Sequence, residues 1–334
     1  MSLRLHVVGG RQRPDALSRP EWERHERGLI LEVEPESGEV IERVDYVSPP
    51  DVIPAEQPFA VLFKAGTRVG DELYVCTQTE VMAYDTRTWR QSFYLSHPWF
   101  NDVHHVLPRE DGRLLVVSTG LDLVIELDRS GEVVSTWGVL GQDPWQRFDP
   151  KTDYRKVPTT KPHAAHPNFL FEVEGRLWVT RFEQKDAVCL TEPGRRIAID
   201  VERPHDGIVL DGQVFFTTVD GHLVIADAMT ETVERVIDLN AWTGGDLALG
   251  WCRGLALLDG GRRAVVGFSR LRPTKLRENV RWVKHRLGLR STPGNLPSRL
   301  ACFDLEEGRL LWEQNLEQHG MAVMFSLHPL PEGR

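Results

Sequence analysis

Six histidines stand where short apolar runs begin. They are His104 and His105 in "NDVHHVLP", His163 and His166 in "PHAAHPNF", His205 in "RPHDGIVLDG" and His319 in "HGMAV". The other six of the chain's twelve histidines lack this placement. Neutral imidazole suits iron, zinc and copper, and histidine is the commonest metal ligand. Imidazoles gathered at one point would hold a divalent transition metal, with iron, zinc, copper and manganese as the candidates. A histidine on its own is more often a hydrogen-bonded core residue. The chemistry therefore depends on an architecture that brings these segments together.

Their neighbours extend the pattern. Asn101 and Asp102 precede the histidine pair, Asn168 follows His166, and Asp206 follows His205. Such groups serve as oxygen ligands, as partners that orient an imidazole, or as an acid/base pair. Aligning "GWCRGLALL" with "RPHDGIVLD" sets Cys252 and Arg253 at the corresponding place. A guanidinium there suits a carboxylate, phosphate or sulfate, while a lone cysteine is more often packing.

The architecture is legible as a repeat. Segments such as "ELYVCTQ", "RLLVVSTG", "RLWVTRF", "QVFFTTV" and "RAVVGFS" recur, each followed by an apolar run, a turn and a further alternating run. β-Branched and aromatic residues between Gly/Asp turns signal strands. Five such units span about residues 57–318, at a period close to the roughly 40–50 residues of propeller blades. The C-terminal "HGMAVMFSLHPL" supplies a first strand for the N-terminal "RLHVVGG", "GLILEVEPESG" and "EVIERVDYV". Joining them closes a ring and hides the sheet edges. The expectation is an all-β, six-bladed β-propeller over residues 1–334, one domain. The alternative is seven blades, one of them hidden in an irregular segment.

Two insertions break the period, at residues 139–162 and 270–299. In the second, Leu276, Val280, Val283 and Leu287 recur at helical spacing, and basic residues dominate. Topology sets both insertions over the face on which the first strands begin. The histidines then converge on the upper mouth of the central channel. The second blade contributes only Glu56 or Gln57 there. Adjacent strand residues point to opposite faces. His105 lies seven residues before Gly112, as His205 does before Gly212 and Arg253 before Gly260. This spacing makes His105 the channel-facing residue and His104 its neighbour between blades. The choice between His163 and His166 stays open.

A net charge of −9 on 334 residues speaks against a nucleic-acid binder. The apolar run at the N-terminus is too short for a signal-peptide core, and no run approaches about 18 apolar residues. The four cysteines have no metal-ligand spacing. A cytoplasmic protein without membrane attachment is expected; its oligomeric state is not legible.

The entries "NDV", "PHDGIVLDGQVFFTT" and "CRGLALLDGGRRAVVG" resemble those of the gluconolactonase and senescence-marker family of six-bladed propellers. That resemblance implies a divalent metal at the channel top held by carboxylate and amide oxygens, with Asn101, Asp206 and Arg253 at the matching positions. The imidazoles crowding in beside them point to a softer metal. The third blade, "FNDVHHVLPREDGRLLVVSTGLDLVIELDRSGEVVSTWG", resembles arylsulfotransferase propellers, which pass a sulfuryl group through a histidine. The last third is similar to a family of uncharacterised bacterial propellers.

The expected function is a metal-dependent enzyme acting on a small anionic molecule. His105, His166, His205 and His319 are its ligands, Asp102 or Asp206 its base, and Arg253 its anion anchor. His104, His163, Asn101, Asn168 and Cys252 stand behind them. The alternatives are metal-free sulfuryl or acyl transfer through a histidine, and a non-catalytic propeller that binds a protein or glycan.

Overall fold

Runs of apolar residues broken by tight turns fold into antiparallel hairpins, and the hairpins into six four-stranded sheets. The computed structural model describes residues 2–55, 58–243, 249–271 and 296–330. The first sheet contains β1 (Leu5–Gln12), β2 (His25–Glu34) and β3 (Glu39–Tyr46). The second contains β4 (Lys64–Val69), β5 (Glu72–Cys76), β6 (Val81–Asp85) and β7 (Gln91–Leu95), and the third β8 (Val103–Pro108), β9 (Leu114–Ser118), β10 (Leu123–Leu127) and β11 (Val133–Gly138). The fourth has β12 (Pro167–Val173), β13 (Arg176–Arg181), β14 (Asp186–Cys189) and β15 (Arg196–Ala198). The fifth has β16 (Ile208–Leu210), β17 (Gln213–Thr217), β18 (His222–Asp227) and β19 (Thr232–Asp238). The sixth has β20 (Trp251–Leu258), β21 (Arg263–Ser269), β22 (Arg299–Asp304) and β23 (Arg309–Asn315), and the last strand is β24 (Val323–Pro329).

β24 pairs with β1, so the first sheet reads β24-β1-β2-β3 and the ring closes with strands from both ends of the chain. The chain is a six-bladed β-propeller, and the described residues leave no seventh sheet. The expected helix in the second insertion falls on residues 272–295, outside the described residues, with most of its basic side chains. Glu56 and Gln57 lie outside them too.

Burial follows strand position. Middle strands are covered on both faces, as in β9 and β10, whereas the outer β3, β11 and β23 carry exposed residues along their length. Each blade–blade interface has its own apolar cluster. Phe63, Leu73 and Met82 join the first and second blades, Leu115, Leu170 and Val179 the third and fourth, and Leu300, Leu5 and Met324 the sixth and first. A further cluster of Leu62, Ala65, Phe169, Val323 and Phe325 lies among the innermost strands.

Those innermost strands share one irregularity. Each carries an extra residue relative to its neighbour near the start of the strand. The extra residue falls between Lys64 and Thr67, at His104, between Pro167 and Leu170, between Pro204 and Ile208, between Cys252 and Leu255, and at Phe325. Such β-bulges bend a strand and re-aim its side chains. Opposite Phe325, Gly9 runs so close to the Val323 carbonyl that a Cβ there would collide with it.

His6 on β1 is buried, and burial, with Arg68 and Arg43 nearby, lowers its pKa to about 3. An unfolded chain binds a proton at this histidine below about pH 6.5, and the folded chain refuses it until about 3. Its contribution to stability is therefore complete above about 6.5 and is lost as pH falls through that window, at no more than about 1.4 kcal/mol per pH unit. Denaturant titrations at pH 7 and pH 5 should show a smaller acid loss in His6→Gln than in the wild type. Equal losses would show that His6 does not govern this part of the acid response.

Candidate functional site

The bulges deliver side chains to a single cavity of about 440 Å³ at the upper mouth of the channel. Lys64 comes from the second blade, His104 from the third, His205 from the fifth, Arg253 from the sixth and Phe325 from the first. The fourth blade contributes His166 from the loop just before β12, and His163 from just after the first insertion. Pro158, Thr159, Lys161 and Pro162 of that insertion form part of the wall, so it does overhang this face.

At the centre, Lys64 Nζ is ion-paired with Asp102 Oδ1. Lys64 is buried, and Asp102 is partly open to the cavity. Burial opposes the charge on Asp102, but Lys64 beside it more than reverses this and holds the carboxyl well below its usual range. His104 Nδ1 donates to the Asp102 carbonyl at 2.7 Å, which leaves Nε2 as the lone-pair nitrogen. A histidine held at one nitrogen by a carbonyl is in the arrangement that metal-binding imidazoles adopt.

His163 and His166 sit beside this pair. Their Nδ1 atoms are 2.8 Å apart, and their rings stack with centres 5.0 Å apart. His163 Nε2 is buried without a hydrogen-bond partner among the described residues and lies 4.0 Å from Asp102 Oδ2. One ligand atom from each of Asp102, His163 and His166 falls within 4.8 Å of the others. The His104 ring centre is 4.9 Å from that of His166. Burial pushes the pKa values of His104, His166 and His205 well below the usual histidine range, and that of His163 down as well. Burial thus favours the neutral imidazole, the state that binds metal.

The loop carrying two of these residues is fixed by Asp122. Its carboxylate accepts the backbone N–H groups of Ala164, Ala165 and His166 at 2.8–3.0 Å, and Arg147 pairs with it at 2.6 Å. Asp102, Asp122 and His166 all have positive φ, at 52°, 49° and 53°. For residues with a Cβ this conformation costs roughly 1–2 kcal/mol. Seven other non-glycine residues among those described share this conformation.

Several sequence-based assignments change. His104 faces the cavity, whereas His105 lies between blades. The His105 ring stacks on Phe169 at 3.9 Å, accepts the Leu170 N–H at Nδ1 and meets Thr67 Oγ1 at 3.3 Å. It clasps β4, β8 and β12 together. The count back from glycine misleads because the hairpin turns differ: Pro108 pairs with Leu114, but Leu210 pairs with Gln213. His319 is away from the cavity lining, on a turn where it meets Gln318. In its blade the channel position belongs to Phe325.

Asp206 is buried beneath the bulge, accepting from Thr217 Oγ1 and from the Gly254 N–H. Burial pushes its carboxyl up to about 7. Cys252 packs among Leu255 and Phe268, and burial raises its thiol well above the usual value. Asn101 donates to the carbonyls of Tyr154 and Val157 and accepts from Thr160, so it pins the first insertion to the third blade. Asn168 donates to the Pro204 carbonyl between blades. His205 and Arg253 do reach the cavity. Lys64, Asp122 and His25, which also lines the cavity, carried no signal in the repeat pattern.

No family model matches the chain, and no curated protein does. Among solved structures it is similar to a protein of unknown function from Bacteroides caccae, with a TM-score of 0.60 and 16% identity over 99% of this chain and 100% of that one. This likeness is one of fold. A chain of the mitotic checkpoint complex overlaps 86% of this chain, and 72% of its own length, at 10% identity with a TM-score of 0.47, too low to argue from.

Two substitutions probe this arrangement. Lys64→Met should destabilise the protein by about 3–5 kcal/mol, since it leaves the Asp102 carboxylate without its buried partner. Asp122→Ala should cost about 2–4 kcal/mol and strip hydrogen-exchange protection from the amides of residues 164–166. Unchanged protection there would show that Asp122 does not hold the loop.

Proposed function

We propose that this protein is a metal-dependent enzyme acting on a small anionic molecule at the channel mouth. The observation that carries this reading is the Asp102, His163 and His166 cluster at the edge of a cavity wide enough for a small ligand. One carboxylate and two imidazoles form a common donor set for zinc and for non-haem iron. His104 stands beside this cluster, its ring centre 4.9 Å from that of His166. The unpartnered His163 Nε2 is a group whose burial costs free energy unless something binds it.

A metal here would serve as a Lewis acid or lower the pKa of a bound water. The chain's own groups do the rest. Lys64 keeps Asp102 ionised, and Asp122 holds the histidine loop in place. Arg253, braced between the rings of Trp251 and Phe325 at 4.9 and 4.8 Å, presents a planar cation to an anionic ligand. The apolar Phe325 floor limits access from below. A small molecule rather than a nucleic acid fits a cavity of about 440 Å³ in a chain of net charge −9. None of the helices among the described residues is long and apolar enough to cross a membrane. The four cysteines are buried and unpaired, in keeping with a reducing cytoplasm.

Elemental analysis of protein purified without a metal-affinity tag should find about one equivalent of a divalent transition metal. His163→Ala and Asp102→Ala should lose it, and chelation should lower the melting temperature of the wild type but not of the variants. Absence of stoichiometric metal, with melting indifferent to chelator and to added zinc, iron or manganese, overturns the reading. So does a covalently modified histidine formed from a donor ester in metal-free protein, which would establish group transfer instead.

A further inference from the structure

The metal cluster shares its cavity with an unusual number of aromatic rings. Five of the 23 described residues that line the cavity are Phe or Trp, whereas Phe, Trp and Tyr together make up 8% of the chain. They come from separate parts of the fold: Trp22 between β1 and β2, Phe59 ahead of β4, Phe182 just after β13, Trp251 on β20 and Phe325 on β24. Phe59, Trp251 and Phe325 are nearly buried, and packing between blades accounts for them. Trp22 and Phe182 are only half-buried and keep ring surface in contact with water.

Phe182 is tied to the histidine loop itself. Its N–H donates to the His166 carbonyl at 3.2 Å, and the Glu183 N–H donates to the Ala165 carbonyl at 3.1 Å. These backbone bonds carry the Phe182 ring to the side of the His166 ring, with centres 4.9 Å apart. The Arg203 guanidinium lies 5.3 Å from the centre of the Phe182 ring and braces it. A ligand seated at His166 therefore meets a fixed aromatic surface next to the cluster.

Rings attract rings through offset or edge-on contacts, beyond what their buried area contributes. Pockets that combine aromatic walls with a few placed polar groups hold ligands with an apolar body and one polar end. An apolar cavity of about 150 Å³ takes up benzene, so about 440 Å³ has room for a ring with its substituents. We propose that the substrate is an aromatic acid, with its ionised oxygen on the metal and its ring against Phe182. This rests on the metal reading above. The metal holds the acidic end, and the aromatic wall selects the body.

The test is calorimetric titration of metal-loaded protein with benzoate, cyclohexanecarboxylate, acetate and gluconate, at concentrations that leave the metal stoichiometry unchanged. Benzoate should bind at least about tenfold more tightly than acetate, because the ring adds buried apolar surface. It should bind at least about threefold more tightly than cyclohexanecarboxylate, because ring–ring contacts add to area. Phe182→Leu should remove the preference for benzoate over cyclohexanecarboxylate while acetate affinity and metal content stay at the wild-type values. Phe182→Tyr, which keeps the ring, should keep the preference. Benzoate no tighter than acetate or cyclohexanecarboxylate, gluconate the tightest of the four, or a metal-replete Phe182→Leu protein with its preference intact overturns this inference and leaves the metal site standing. Protein that takes up no metal at all overturns both.

Discussion

Closing six blades into a ring forces six strands to begin at one axis, and this constraint governs everything at the upper face. A regular strand so placed would offer its alternate residues to the channel and the others to its neighbours. The bulge changes the bargain at one level only. It adds a residue, turns one side chain inward and leaves the strand below in register with its partner. Repeated in all six innermost strands, it lets polar side chains such as Lys64, His104, His205 and Arg253 meet over an apolar floor without unpairing the sheets beneath.

Such a site opposes folding locally. It contains a buried ion pair, neutral imidazoles with unused nitrogens, and three non-glycine residues with positive φ. None of these contributes much net stability. The stability comes from the blade interfaces, each with its own buried cluster. Residues of the same strands alternate between the two tasks. His104 faces the cavity while His105 and Val106 face protein, and the His105 clasp ties three blades together directly below the site. Rigidity just beneath the cavity and strain within its lining are therefore parts of one design.

Much of this was legible in the chain. The four-segment repeat predicts the blades, and the unmatched segments at the two ends predict the closing sheet. The upper mouth as the place where polar residues gather also follows from topology. What the repeat does not encode is which residue of an adjacent pair turns inward. A bulge shifts the facing by one residue without any distinct composition, so His104 and His105 exchange roles. Lys64 sits in "LFKAG", which reads as an ordinary strand entry, and its ion pair with Asp102 is visible only once two blades are side by side. Asp122 belongs to a turn of the third blade and acts on the loop before the fourth, forty residues on. His319 shows the converse error: a histidine at the head of a closing strand, but several residues before the bulge that reaches the channel.

The likeness expected from the blade entries, to the gluconolactonase and senescence-marker propellers, is matched by no family model and no curated protein. That likeness implies oxygen ligands at Asn101 and Asp206. In this chain both oxygen-bearing groups are already engaged. Asn101 binds the first insertion through its amide and its carbonyl oxygen, and Asp206 accepts from Thr217 and the Gly254 N–H at Oδ2. Asp206 lies outside the cavity lining. The donors that do converge come from elsewhere: Asp102, next to Asn101, and two histidines from the loop that the insertion delivers. The insertion thus does more than cover the mouth. By engaging Asn101 and leading into "PHAAH", it sets two imidazoles beside the Asp102 carboxylate. On the proposed metal reading, that donor set favours zinc or iron over calcium or magnesium.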